Sequence, residues 1–240
     1  MPWCLLEKST LLIGIISDTH GELPDHTWWP NLDLFIHAGD VAPNPSNSRD
    51  DVEIQMAWGS HFQSWIGGVK AACKVIVPGN HDLLFEQQCG LGNCVDALYL
   101  HDRGITEIKL FGTAWTHHDT ARFRFSWAYG DQEERLNGKF ARIPLTTKIL
   151  ITHSPVVHEL DNPVGMEVGS LALRRRMAQL ENVRLHIHGH AHSAGGQYQQ
   201  RSNRLVINAA NHFIWFNWDE RQQRLRGTMN MRRIMEDTYK

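Results

Sequence analysis

Val75-Ile76-Val77-Pro78-Gly79-Asn80-His81-Asp82 is a short apolar run that breaks off abruptly into Pro, Gly and residues that carry protons or bind metals. Runs this short and rich in Ile, Val and Leu predict buried strands. The same arrangement recurs on both sides of it. Leu11 to Ile16 leads into Ser17-Asp18-Thr19-His20-Gly21, and Leu34 to His37 leads into His37-Ala38-Gly39-Asp40. Lys148 to Thr152 leads into Thr152-His153-Ser154, and Leu185 to His188 into His188-Gly189-His190-Ala191-His192. Ile105 to Phe111 and Leu205 to Ile207 are further predicted strands. Helices are predicted between them. Val52 to Val69 carries Met56, Trp58, Phe62, Trp65 and Ile66 before Gly67 and Gly68, and Leu171 to Leu180 places Leu173, Met177 and Leu180 on one stripe. Strands alternating with helices indicate an α/β domain with helices outside a largely buried sheet. In such sheets, ligands bind at the carboxyl ends of the strands.

That edge is where the chemistry-bearing residues fall. Asp18-x-His20 puts a carboxylate and an imidazole on one side of an extended segment, and His190-x-His192 does so with two imidazoles. Glycines 21, 39, 79 and 189 let the backbone turn sharply and approach an ion. Carboxylate, imidazole and amide oxygen together suit Mn, Fe, Zn or Ni. At least seven candidate donors converge, too many for one ion, whereas two ions sharing a bridging carboxylate accommodate them all. Two cations about 3.5–4 Å apart stabilise both the attacking and leaving oxygens of an in-line displacement, and lower the pKa of a shared water toward ~7. The expected nucleophile is therefore a metal-bridging hydroxide.

Composition bounds the alternatives. The chain has 240 residues, 42% hydrophobic and 21% charged, which suits an ordinary globular protein. A formal net charge of −2 argues against coating nucleic acid or an anionic membrane by charge alone. Apolar runs stay well short of the ~20 residues that cross a bilayer, and no secretory pattern opens the sequence, so no membrane contact and a cytoplasmic location are expected. Four cysteines, Cys4, Cys73, Cys89 and Cys94, form no CxxC pair and are taken as buried small hydrophobes or idle thiols. No composition shift divides the chain. Residues 1–225 are expected to form one domain, and 226–240 a polar C-terminal segment, as a surface helix or a frayed tail.

The blocks DxH, GD, GNHD, H and GHxH, in that order from Asp18 to His192, resemble the calcineurin-like metallophosphoesterase superfamily. Gly79 to Glu86, Phe111 to Thr116 and Val206 to Ala210 are further similar to its metallophosphoesterase-domain (brain-type 239) group, whose members hydrolyse phosphodiesters, including cyclic nucleotides. Residues His117 to Arg135 and Pro43 to Asp51 depart from that group. The resemblance implies a four-layer α/β/β/α sandwich with two central mixed sheets and the metal site at the carboxyl ends of the strands. It implies Asp18, His20 and His192 at a first metal, Asn80, His153 and His190 at a second, and Asp40 bridging them. His81 is implied near the leaving group, hydrogen-bonded by Asp82, both counted as catalytic. A leaving alkoxide needs a proton or positive charge, and a carboxylate partner keeps an imidazole protonated and oriented.

The expected activity is metal-dependent hydrolysis of phosphate esters, first as a phosphodiesterase on a small organic phosphate or nucleotide. The expected cofactors are two divalent transition-metal ions, Mn²⁺ before Fe, Zn or Ni. A nucleic-acid exonuclease, a protein phosphatase and a non-catalytic scaffold are the alternatives. His37 and His188 are taken as structural strand ends and His186 as packed. His117 and His118 are candidates for substrate contact or plain surface, and Arg174 to Arg176 are taken as a solvated face. Trp28-Trp29 and Trp215 to Trp218 are read as core or a partner surface, with an aromatic wall for a base as the sharper alternative.

Overall fold

A computed structural model describes residues 8–46, 50–87, 96–118, 128–161 and 168–234. Cys4, Cys89 and Cys94 lie outside them, whereas Cys73 is buried in the core as expected.

The strands gather into two six-stranded mixed sheets. In the first, β1 (Thr10–Ile16), β2 (Leu32–His37), β3 (Ala71–Ile76) and the short β4 (Leu98–Tyr99) run parallel. β13 (His212–Asp219) and β14 (Arg224–Arg233) extend that sheet antiparallel beyond β1. In the second, β6 (Leu110–Thr113), β9 (Ile149–Thr152), β10 (Leu185–His188) and β12 (Arg204–Asn208) are parallel, with antiparallel edges β5 (Arg103–Ile105) and β11 (Tyr198–Arg201). A small pair, β7 (Thr116–His117) and β8 (Gly130–Asp131), stands apart.

Side-chain alternation builds the layers. Leu11, Ile13 and Ile15 of β1 meet Leu185 and Ile187 of β10, and Leu205 and Ile207 of β12, in one core between the sheets. The opposite face of the first sheet packs on helix α1 (Asp51–Gly68) through Phe35, Phe62 and Ile66. The opposite face of the second packs on α3 (Glu133–Phe140) and α4 (Leu171–Met177) through Leu150, Leu136, Phe140 and Leu173. The order is helix, sheet, sheet, helix, as the sequence resemblance implied.

Three differences from the sequence expectations have physical causes. Ile105 to Phe111, expected as one strand, is a hairpin, because Lys109 takes a left-handed φ of 51° and turns β5 into β6. Residues from Arg226 to Arg233, expected in a surface helix or tail, belong to β14, an exposed edge strand whose arginines suit its wet face. The tryptophan-rich segment is β13, with Phe216 and Trp218 in the core between the sheets. On the other face, Trp29 stacks on Phe213 with ring centroids 4.0 Å apart. Such a pair contributes about 0.5–1.5 kcal/mol beyond area burial. The core-packing reading of these aromatics therefore holds for Trp29, Phe216 and Trp218, all nearly fully buried. No helix among the described residues is long and apolar enough to cross a membrane.

Candidate metal centre

The carboxyl ends of β1, β2, β3, β9 and β10 meet in one place, and the loops leaving them are stitched together by backbone hydrogen bonds. Asp18, His20 and Gly21 donate their amides to the carbonyls of Gly39, Asp40 and Val41 at 2.8–2.9 Å. Asp18, His20, Asp40 and His190 all have left-handed φ angles of 46–65°. For a residue with a Cβ this costs about 1–3 kcal/mol each, and persists only where the surroundings over-determine it. The extended geometry expected for Asp18-x-His20 is therefore not what aligns the pair. The same left-handed turn at His190, followed by a 3-10 turn over His192–Ala194, sends His190 and His192 to different clusters rather than to one side.

Those clusters are Asp18 with His20 and His192, and Asp40 with His153 and His190, each with its ligand atoms within 4.8 Å of one another. In the first, His192 Nε2 lies 3.1 Å from Asp18 Oδ1 and 3.3 Å from His20 Nε2. In the second, His153 Nε2 lies 3.3 Å from Asp40 Oδ2 and 3.0 Å from Asn80 Oδ1, which brings in the amide oxygen. One oxygen, Asp40 Oδ2, faces both sides: it is also 4.0 Å from His20 Nε2. All seven expected donors are thus brought together in a single centre.

Two glycines make this density possible by lacking a side chain. A Cβ on Gly79 would fall 2.2 Å from Asp40 Oδ1, and one on Gly189 would fall 2.3 Å from Asp18 Oδ2. The close approach is to the carboxylates, not directly to an ion. Each carboxylate is held in turn by an amide of a neighbouring loop, Asp18 by His190 N at 3.0 Å and Asp40 by His81 N at 2.9 Å.

The electrostatics favour positive charge at the centre. Burial alone would raise the Asp18 carboxyl, but the hydrogen bond and charge of His192 hold it below the ordinary range. Burial likewise opposes ionisation of Asp40, yet His153 and His81 hold its carboxyl well down. Burial would depress His153, but Asp40 outweighs it and lifts the imidazole to about 9. Burial pushes His190 down to about 3, so it presents a neutral lone pair. His153 uses Nδ1 to donate to Ala38 O at 2.9 Å, which aims Nε2 at the oxygens of Asp40 and Asn80. A lone pair facing two oxygens needs a proton or a cation between them. Imidazole, carboxylate and amide oxygen in these positions fit a divalent transition metal, and the carbonyl behind His153 fixes its tautomer in the manner usual for metal-binding histidines.

His81 stands beside the centre. Its side chain is 23% exposed, and its Nε2 lies 3.9 Å from Asp40 Oδ2. The expected bond from Asp82 to His81 is not formed. Fully buried Asp82 instead accepts backbone amides, Val41 and Ala42 on Oδ1 at 2.9 and 2.8 Å, and Gly79 on Oδ2 at 2.7 Å. It ties the loop after Asp40 to the loop before Asn80. Burial and the charge of Asp40 push its carboxyl up to about 7 against those bonds.

Other flagged residues fall outside both clusters. His37 and His188 are fully buried and bond Thr19 Oγ1 and Gly189 O. His186 is packed against Thr152. His117 lies 3.6 Å from Glu133. Arg174 and Arg175 are exposed, as a solvated face requires, whereas Arg176 is half-buried and donates to the carbonyl of Ile143. Two residues escaped the sequence reading. Asn208, fully buried, donates to Ala191 O between His190 and His192 at 2.8 Å. Gln55, on α1, donates to the carbonyl of His81 at 2.7 Å. A polar residue within the apolar stripe of Val52 to Val69 was the available signal for Gln55.

The comparisons with known proteins agree with this architecture. A Caenorhabditis elegans UPF0046 protein, K07C11.7, is 29% identical over 218 residues, covering 83% of this chain and 69% of its own length. Human metallophosphoesterase domain-containing protein 1 is 28% identical over 214 residues, covering 75% of this chain; the match spans 60% of the human protein. A Staphylococcus aureus crystal structure described as a candidate 5′-nucleotidase superposes with a TM-score of 0.50 at 13% identity, over 96% of this chain and 55% of that one. That last likeness is one of fold. The calcineurin-like phosphoesterase model matches residues 11–194, which contain every strand end that feeds the centre, and the chain belongs to that family.

Proposed function

We propose that the chain hydrolyses phosphate esters with two divalent metal ions held side by side, acting first on phosphodiesters of small organic phosphates or nucleotides. The observation that carries this reading is the position of Asp40 Oδ2, within 3.3 Å of His153 in one cluster and 4.0 Å of His20 in the other. A carboxylate shared between two donor sets is what a dinuclear centre requires. Asp18, His20 and His192 would hold one ion, Asn80, His153 and His190 the other, and Asp40 both. Two such ions supply Lewis-acid stabilisation of the transferring phosphoryl group and lower the pKa of water, with Mn²⁺ our first choice and Fe, Zn or Ni alternatives.

The chain's own residues do the rest. The buried carboxylates, Asp18 and Asp40, hold charge fixed at the centre, so little reorganisation is needed as charge develops. His81, partly exposed and near the anionic Asp40, is placed to give a proton to the departing alkoxide. Asp82 acts on the loops and not on the leaving group, because both its oxygens are taken by amides. Family membership and the 5′-nucleotidase-like fold neighbour support a phosphate ester as substrate.

The test is hydrolysis of an aryl phosphodiester and its monoester twin with Mn²⁺, Ni²⁺, Zn²⁺ or chelator. The expected result is diester cleavage lost to chelator and restored by metal. Protein carrying two metals yet silent on both esters would count against the reading.

A further inference from the structure

We propose that Gln55 is the positioning residue that sets the orientation of His81 in the proposed reaction. The inference rests on the reading of His81 as proton donor given above.

Helix α1 packs on the outer face of the first sheet, and its buried stripe runs through Gln55, Gly59, Phe62 and Ile66. Gln55 is 1% exposed in a stripe otherwise suited to apolar side chains. A buried amide left unpaired is destabilising, so its hydrogen bonds account for its presence there. Its Nε2 donates to two carbonyls at 2.7 Å, those of Pro43 and His81. Its Oε1 accepts the amide of Leu84 at 3.0 Å. That amide belongs to the first turn of α2 (Leu83–Gln87), where backbone donors have no partner within the helix.

One of these bonds reaches His81. The amide of His81 donates to Asp40 Oδ1 at 2.9 Å, and its carbonyl accepts from Gln55. Both peptide groups flanking the His81 side chain are therefore anchored, one to the centre and one to the helix. The third bond, to Pro43, holds the loop that follows Asp40 against the same amide. Beside the bonds of Asp82, Gln55 thereby holds the loop of Asp40 against the carbonyl of His81 itself, where Nε2 of His81 and Oδ2 of Asp40 stand 3.9 Å apart. Gln55 bonds none of the seven donors through its side chain, so its removal shifts His81 while leaving the ion-holding atoms in place.

The experiment is a double-mutant cycle on Mn²⁺-loaded protein with the aryl phosphodiester, accompanied by elemental analysis of metal content. Gln55→Met keeps the volume and removes all three bonds. The expected result is unchanged metal content, kcat lowered ~10–10²-fold as for a small misplacement of a reacting group, little change in KM, and no further loss when His81→Ala is already present. In metal-free protein, the imidazole resonances of His81 shift in Gln55→Met while those of His186 stay put. Gln55→Asn, a smaller change at the same position, gives the same pattern at reduced size if Gln55→Met folds poorly. Full kcat in Gln55→Met, an equal fractional loss in the His81→Ala background, or loss of metal overturns the inference while leaving the proposed function intact. A His81→Ala protein with undiminished kcat instead overturns the role of His81, and the role of Gln55 falls with it.

Discussion

The two donor clusters differ in how deeply the fold encloses them. His153 is fully buried and Asp40 nearly so, with His190 partly exposed beside them, whereas the other cluster buries only Asp18 and leaves the side chains of His20 and His192 10% and 27% exposed. The inner cluster is fixed from behind by Ala38 O on His153, and from the side by the His81 amide on Asp40. The outer cluster leans on Asp18, itself buried and held by His190 N, but its imidazoles reach solvent. The contrast teaches that a single centre can combine a rigid half and an accessible half. The inner half sets geometry, and the outer half offers an approach for solvent and substrate.

That contrast can be broken most severely at the residue the halves share. Asp40→Asn should release both ions and abolish metal-dependent hydrolysis, read by elemental analysis alongside aryl phosphodiester turnover; two ions retained would show that Asp40 does not bridge. Next in size is His81→Ala, which should keep both ions while lowering kcat by ~10²–10⁴, the scale of a lost general acid. An emptied centre in that variant would mean that His81 is a ligand. A smaller effect separates the halves directly. In stopped-flow release to chelator, the metal-loaded protein should lose its ions in two phases, and His192→Ala should remove the fast one; a single phase in the wild type would erase the distinction.

The smallest effect lies away from both clusters. Burial holds His186 well below the ordinary imidazole range, so the folded state refuses a proton that the unfolded chain takes up. Its folded pKa is depressed, so its stability contribution is whole above the unfolded pKa of about 6.5 and is lost as pH falls below that value. Urea unfolding of metal-free His186→Leu should show a shallower acid slope than the wild type over that window. Parallel slopes would mean that His186 is protonated in the fold.

Much of this was legible in the chain because strand ends punctuate it. The β-branched runs stop at Asp18, Asp40, Asn80, His153 and His190, and the structure brings those residues together. What was not legible depended on backbone angles and on partners distant in sequence. Nothing in Ile105 to Phe111 announces that Lys109 would turn left-handed and split the run. His212 to Asp219 mixes aromatic and polar residues on a strand whose two faces meet different layers, so its tryptophans hid its period. Asp82 follows His81 directly, which suggested a pair, yet its bonds go to Val41, Ala42 and Gly79. Gln55 and Asn208 act through carbonyls 26 and 17 positions away, and a break in an apolar stripe can flag Gln55 without revealing its partner.

Whether two ions share Asp40 is read by electron paramagnetic resonance of the Mn²⁺-loaded protein. The expected spectrum is exchange-coupled, from a pair of ions, and collapses to that of free Mn²⁺ in Asp40→Asn. A wild-type spectrum from isolated, uncoupled Mn²⁺ at full loading would contradict it.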